Sequence, residues 1–235
     1  MEILDTKKYI SEKLTIKPIS KSQLAKYGRG FYRFSPKSKD ELADLVIDRI
    51  GDIGFECDLN DIDTSAITDM SFLFNGSAFN GDISLWNVGN VRNMEGMFMF
   101  SNFNGDISKW DVSKVNNMYR MFKNSNFCGD ISNWDVGNVE TMSYMFQHSI
   151  FNGDLSKWNV RNVVYMTGMF GYSDFNQDIS DWDVQNVEMM NHMFEYAKFT
   201  GDLSKWKAYK AKYNHNMFRG CNLEYEPHKQ PKFSV

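Results

Sequence analysis

Three cysteines in 235 residues, Cys57, Cys128 and Cys221, are odd in number and widely spaced, so they form no disulfide framework, and no CxxC or Cys/His cluster offers a zinc site. They read as reduced thiols. Histidine is as sparse: His148, His192, His215 and His228 are scattered, with no Cys-His-Asp or Ser-His-Asp set in any local motif. A P-loop and a GxGxxG turn are missing too. Catalysis therefore has little to work with, and the expectation is a chain without enzymatic activity, cofactor or metal.

Two further absences bear on location and partners. No stretch reaches the roughly 18 apolar residues of a membrane helix, and MEILDTKKYI lacks the basic-then-apolar layout of a secretory signal. The expected location is the cytoplasm or a virion rather than classical secretion, with no membrane insertion. Nor is there a basic body. Residues 1–50 carry 11 Lys and Arg against 7 Asp and Glu, and the remainder carries 15 against 23. An acidic body argues against nucleic acid as a partner, because binding it needs a basic face that displaces phosphate counterions.

What the chain does have is aromatic: 19 Phe, 6 Trp and 11 Tyr, with 15 Met beside them. The tryptophans are Trp86, Trp110, Trp134, Trp158, Trp182 and Trp206, each 24 residues after the last. The same step links Phe79 to Phe199, Asp82 to Asp202 and Met70 to Met190. The unit is W-[DN]-V-x-N-V-x-x-M-x-x-M-F-x-x-S-x-F-N-G-D-[IL]-S-x. A fixed period of this length, with about seven apolar positions per unit, marks a repeat solenoid whose units bury their apolar faces only by stacking.

Local patterning suggests how each unit is built. The alternation in DISxW predicts a short strand pairing in parallel with its copies above and below. Val91, Met94 and Met97-Phe98, spaced by three and four, predict a 3-10 or helical return. Ends of such stacks need covering. In SKDELADLVIDRIG, Ser38 reads as an N-cap with Glu41 as its box partner, Leu42, Leu45, Val46 and Ile50 as the apolar face, and Gly51 as the stop. The expected organisation is an N-terminal arm at 1–34, a capping helix at 35–55, the repeats at 56–206 and a degenerate C-terminal cap at 207–235.

The FNGDISxWDVxNVxxMxxMF unit, preceded by a short helix and by CDLNDIDTSAITDMSFLF, resembles the BspA-type leucine-rich-repeat surface proteins, in the variant known from mycoplasma lipoproteins of unknown function. The resemblance implies a right-handed, leucine-rich-repeat-like solenoid, no enzymatic activity, and a role in adhesion or protein binding in bacteria or phages. MEILDTKKYI does not match the signal peptide or lipobox of the surface members, so cell-surface display is not the expectation.

Three sets of residues compete for a functional role. The aspartates Asp82, Asp106, Asp130, Asp154, Asp178 and Asp202 stack as like charges; capping the turn with the carboxylate is preferred to holding Ca²⁺, since one Asp per unit falls short of six to eight oxygens. The Trp, Phe and Met columns read as interior. The positions that escape the consensus run Gly96, Arg120, Tyr144, Gly168, His192 in one column and Phe100, Asn124, His148, Tyr172, Tyr196 in another. Arg120, Tyr144, His148, Tyr172, His192 and Tyr196 are therefore the expected partner-binding residues, rigid aromatics and cations on a fixed scaffold. The expected partner is a protein. The alternative is a structural part of a phage particle or other assembly, docked through the N-terminal arm; a glycan-binding or hydrolytic surface protein is a third class, compatible with the many carboxylates.

Overall fold

A computed structural model describes residues 33–234. The expected N-terminal arm, apart from Arg33 and Phe34, lies outside the described residues. From Cys57 onward the 24-residue repeats lie one on the next, and isolated parallel bridges join Asp69, Asn93, Asn117, Thr141, Tyr165, Met189 and Tyr213 in series.

Aromatic rings fill the interior. Phe74, Phe98, Phe122 and Phe146 form one column with centroids 5.6 to 5.7 Å apart, and Phe79, Phe103, Phe127 and Phe151 form a second at 6.1 to 6.4 Å. The columns interlock: Phe98 lies 4.4 Å from Phe103, and Phe122 the same distance from Phe127. Each ring is fully buried, and offset stacking of this kind adds about 0.5–1.5 kcal/mol per pair beyond area burial. Tryptophan closes the interior and ties the layers, because each indole Nε1–H from Trp86 to Trp206 donates to the carbonyl 27 residues earlier, at 2.9 to 3.2 Å. A buried indole N–H needs such a partner.

The backbone departs from the expected strand and return. DISxW forms no strand. Within it Asp82 Oδ1 accepts the Ser84 N–H at 3.0 Å, and the Trp86 N–H turns back to the Ile83 carbonyl at 3.1 Å, so two of its donors are spent inside the segment. The inter-repeat ladder sits instead at M-x-x-M-F. There the N–H groups of Met94, Gly96, Phe98 and Phe100 donate to the carbonyls of Asn117, Tyr119, Met121 and Lys123 at 2.8 to 2.9 Å. Those of Met97, Met99 and Ser101 donate three residues back, to Met94, Gly96 and Phe98. Alternate donors thus hold the next repeat and a local turn, which is neither α nor 3-10 helix.

Four corners bend the repeat, and most use one device: a side-chain oxygen accepts the N–H two residues on, with departures at Tyr165, Met189, Ala197 and Lys207. In one repeat these are Ser101 to Phe103, Asp106 to Ser108, Asp111 to Ser113 and Asn117 to Tyr119, at 2.9 to 3.1 Å. The Asp-to-Ser corner recurs at every Asp of the column, from Asp82 to Asp202.

Helix α1, Lys39–Ile53, covers the first repeat. Ser38 caps it by accepting the Glu41 N–H, while the Glu41 carboxylate reaches the N–H of Lys37 rather than of Ser38. Gly51 does not stop the helix: it continues to Ile53, and Gly54 at φ +104° ends it. Leu42 and Val46 are buried, Leu45 and Ile50 partly so. The helix also buries Arg49, which donates to both carboxylate oxygens of Asp61 at 3.2 and 3.3 Å and to the Asp58 carbonyl. Burial nevertheless pushes the Asp61 carboxyl up, against the pull of Arg49 and Arg33. At the other end β1, Lys207–Ala208, pairs in parallel with β2, Lys232–Phe233, after two short 3-10 helices at Asn222–Tyr225 and Pro227–Lys229.

Candidate interaction face

Two residues in each repeat take a left-handed backbone. They are Phe72 and Gly76, Gly96 and Phe100, Arg120 and Asn124, Tyr144 and His148, Gly168 and Tyr172, His192 and Tyr196, and Asn216 and Gly220, with φ between +51° and +67°. Among the described residues every positive φ except that of Gly54 falls in these two columns. The reason lies in the ladder: the turn from Met94 to Met97 and the one from Phe98 to Ser101 each place this residue third of four, where a type II turn requires positive φ. The two columns are those whose residues vary along the sequence.

For Gly and Asn this backbone is ordinary; for Tyr, His, Phe or Arg it costs about 1–2 kcal/mol each. The recurrence of Gly and Asn in both columns is the sequence signal that identifies these positions as left-handed, beyond the side-chain variation alone.

The large side chains point outward and lean along the stack. Phe72 covers Gly96, Tyr144 covers Gly168 and Tyr196 covers Gly220: a Cβ on those glycines would stand 2.5, 2.7 and 2.4 Å from the ring above. Aromatic and glycine therefore pair between neighbouring repeats. His148, Tyr172 and Tyr196 stack in series at 4.6 and 5.1 Å, Arg219 lies 5.8 Å from the Tyr196 ring, and Tyr172 and Tyr196 remain 42% and 47% exposed.

Of the six expected binding residues, the structure places five in two neighbouring groups: Arg120 with Tyr144, and His148 with Tyr172 and Tyr196. His192 turns to other partners. Its Nδ1 is 3.0 Å from Glu195 Oε2, its ring meets His215 edge-on at 5.1 Å, and Arg219 approaches the same Glu195 at 3.5 Å. The sequence reading missed Tyr119, Lys123 and Arg219. Tyr119 and Lys123 flank Arg120 and Asn124, and Arg219 precedes Gly220, so each adjoins one of the variable columns.

The Asp column lies on a different side and is turn architecture. The Ser N–H two residues on holds the carboxyls of Asp130, Asp154, Asp178 and Asp202 below the usual range. Beside it runs a ladder of side-chain carbonyls: the N–H of Asn104, Cys128, Asn176 and Thr200 each donates to the Asn Oδ1 one repeat earlier, at 2.8 to 2.9 Å. Among the described residues no group of three or more His, Cys, Asp or Glu is placed to hold a metal ion. No helix there is long and apolar enough to cross a membrane.

Residues 51–150 and again 124–229 match the family model described as "Mycoplasma protein of unknown function, DUF285". The chain belongs to this family. Both the corners and the face lie inside the family region, which takes in all six expected binding residues and begins within α1. The chain matches no curated protein and no solved structure.

Proposed function

We propose that this DUF285 chain is a non-enzymatic interaction module, a leucine-rich-repeat-like solenoid that recognises a partner protein through the two left-handed columns. The observation that carries the reading is the strain. Where the backbone favours Gly or Asn, the chain places Tyr, His, Phe and Arg and leaves several of them exposed in register on one face. Strained, exposed aromatics point from an outlier to a functional surface, and Tyr and Arg on a rigid frame are the residue types that dominate binding energy. The parallel bridges at 24-residue intervals support the solenoid part of the reading.

Selection of binders from a displayed peptide library on the immobilised protein tests it. Binders should lose at least about tenfold in affinity against Tyr172→Asn with Tyr196→Asn, while the melting temperature holds, because Asn suits the left-handed backbone. Binders that map instead to the Asp corners, or a doubly substituted protein that no longer folds, would overturn the assignment of the face.

A further inference from the structure

The face is not uniform, and its centre carries an unmatched charge. Arg120 and Lys123 share one aromatic ring: the guanidinium carbon lies 5.6 Å and the Lys123 ammonium 5.3 Å from the centroid of Tyr144. Arg120 also lies 4.5 Å over Tyr119, which meets Tyr144 edge-on at 5.8 Å. Elsewhere on the face cations have counter-charges, as Lys39 has Asp69 and Arg219 has Glu195. Arg120 and Lys123 have none: no carboxylate of the described residues comes within 4.0 Å of either, and Arg120 Nε is buried without a hydrogen-bond partner. Two like charges on one ring, in a protein of net charge -4, are costly unless something balances them.

We propose that Tyr119, Arg120, Lys123, Tyr144 and His148 form an anion-recognition site that takes carboxylates from an acidic segment of the partner protein. This rests on the reading of the face as a protein-binding surface and names what its centre recognises. The site is held ready for an anion. Arg120 rests on Tyr119 and beside Tyr144, its guanidinium fork suits a carboxylate, and Lys123 supplies a second charge on the same ring. The titration of its members agrees with a missing counter-charge. Burial and the Arg120 charge hold the Lys123 ammonium below its ordinary range, and burial and Lys123 do the same to His148. A bound carboxylate would relieve both. A nucleic acid fits less well: two cations in one spot suit one or two carboxylates, whereas a phosphate backbone needs a continuous basic track, and the stack continues through Tyr172 and Tyr196.

A fluorescein-labelled oligoglutamate peptide, titrated by anisotropy at low and moderate salt, is the direct probe. Binding should weaken with salt, fall about tenfold in Arg120→Gln and in Lys123→Gln, and stay unchanged in Lys157→Gln beside the Asp corners. Saturating peptide should also raise the pH at which the His148 ring titrates by NMR. Equal binding by wild type and Arg120→Gln, or none at low salt by a protein that melts normally, would overturn the site. Oligouridylate of matched charge binding more tightly through the same two residues would overturn the acidic protein as ligand. Library-selected peptides separate this inference from the broader one: binders that need Tyr172 and Tyr196 but carry no acidic residues and ignore Arg120→Gln would leave the face standing and remove the anion site.

Discussion

Two sides of each repeat obey different rules. At most corners the side chain itself completes the backbone, so Asp, Asn, Ser or Thr stands two positions before the donor, and at the Asp82-to-Asp202 corner it is Asp in every repeat. Tyr165, Met189, Ala197 and Lys207 depart from this at the other three. On the ladder face the shared demand is on φ, and the side chain varies, with Gly96, Gly168 and Gly220 standing where a ring of the preceding repeat lies over the position. Gly, Asn, Arg, Tyr, His and Phe all occur there. Repetition therefore marks where chemistry is needed to build the stack, and variation marks where the backbone is fixed while the surface is left for other use.

The largest blow to this contrast should come from the interior that both sides share. Phe122→Ala opens a gap in a column where each ring touches the next, and should lower stability by about 3–5 kcal/mol in denaturant unfolding. A much smaller loss would mean that the stack collapses locally and that its columns are not the main support.

The corners should respond less, and in a way that depends on chemistry. Asp130→Ala removes the acceptor of the Ser132 N–H and should cost about 1 kcal/mol, whereas Asp130→Asn should be near neutral, since at the neighbouring corner after Trp, Asn87 and Asn159 make the same kind of bond that Asp111 makes. The pH dependence separates the two further. The carboxyls of Asp130, Asp154, Asp178 and Asp202 are depressed in the folded state, so their contribution is present above the ordinary carboxylate range near about pH 4 and is lost as pH falls through the folded values. Replacing all four with Asn should flatten the acid limb of the stability curve; an unchanged limb would move acid sensitivity elsewhere.

The smallest effect, and the one of opposite sign, belongs to the face. Phe100 holds φ +55° with its ring 56% exposed, and Asn124 fills the same column one repeat on. Phe100→Asn should stabilise by about 0.5 kcal/mol, because Asn tolerates the left-handed backbone better. Destabilisation would mean that the exposed ring contributes more packing than strain.

Much of this was legible in the sequence. The period, the Phe and Trp interior and the Asp turn follow from spacing alone, as does the helix begun at Ser38. The ladder did not. DISxW alternates like a strand, yet its Asp and its Trp N–H are both committed to local turns; Val91, Met94 and Met97 are spaced like a helix, yet Gly96 and Phe100 in left-handed conformation break one. Apolar spacing reports which side chains go inside and is silent on which N–H groups leave the repeat. The cation pair on Tyr144 was hidden for a different reason, since it joins side chains from successive repeats. Arg49 went unread because a buried charge on the apolar side of α1 makes sense only once Asp61 is beneath it.

The links between repeats have a consequence for how such a molecule can change length. Ladder bonds join residues 23 apart, the Asn carbonyl rungs 24 and the indole bonds 27, and all of them recur with the period. Removing one residue from the middle would put every later partner out of step, while removing 103–126 would bring Phe98 opposite Met145, a residue equivalent to the one it lost. The chain behaves as a ruler with fixed graduations: it can be lengthened or shortened by whole marks, each adding one more place on the face, without redesign of anything between.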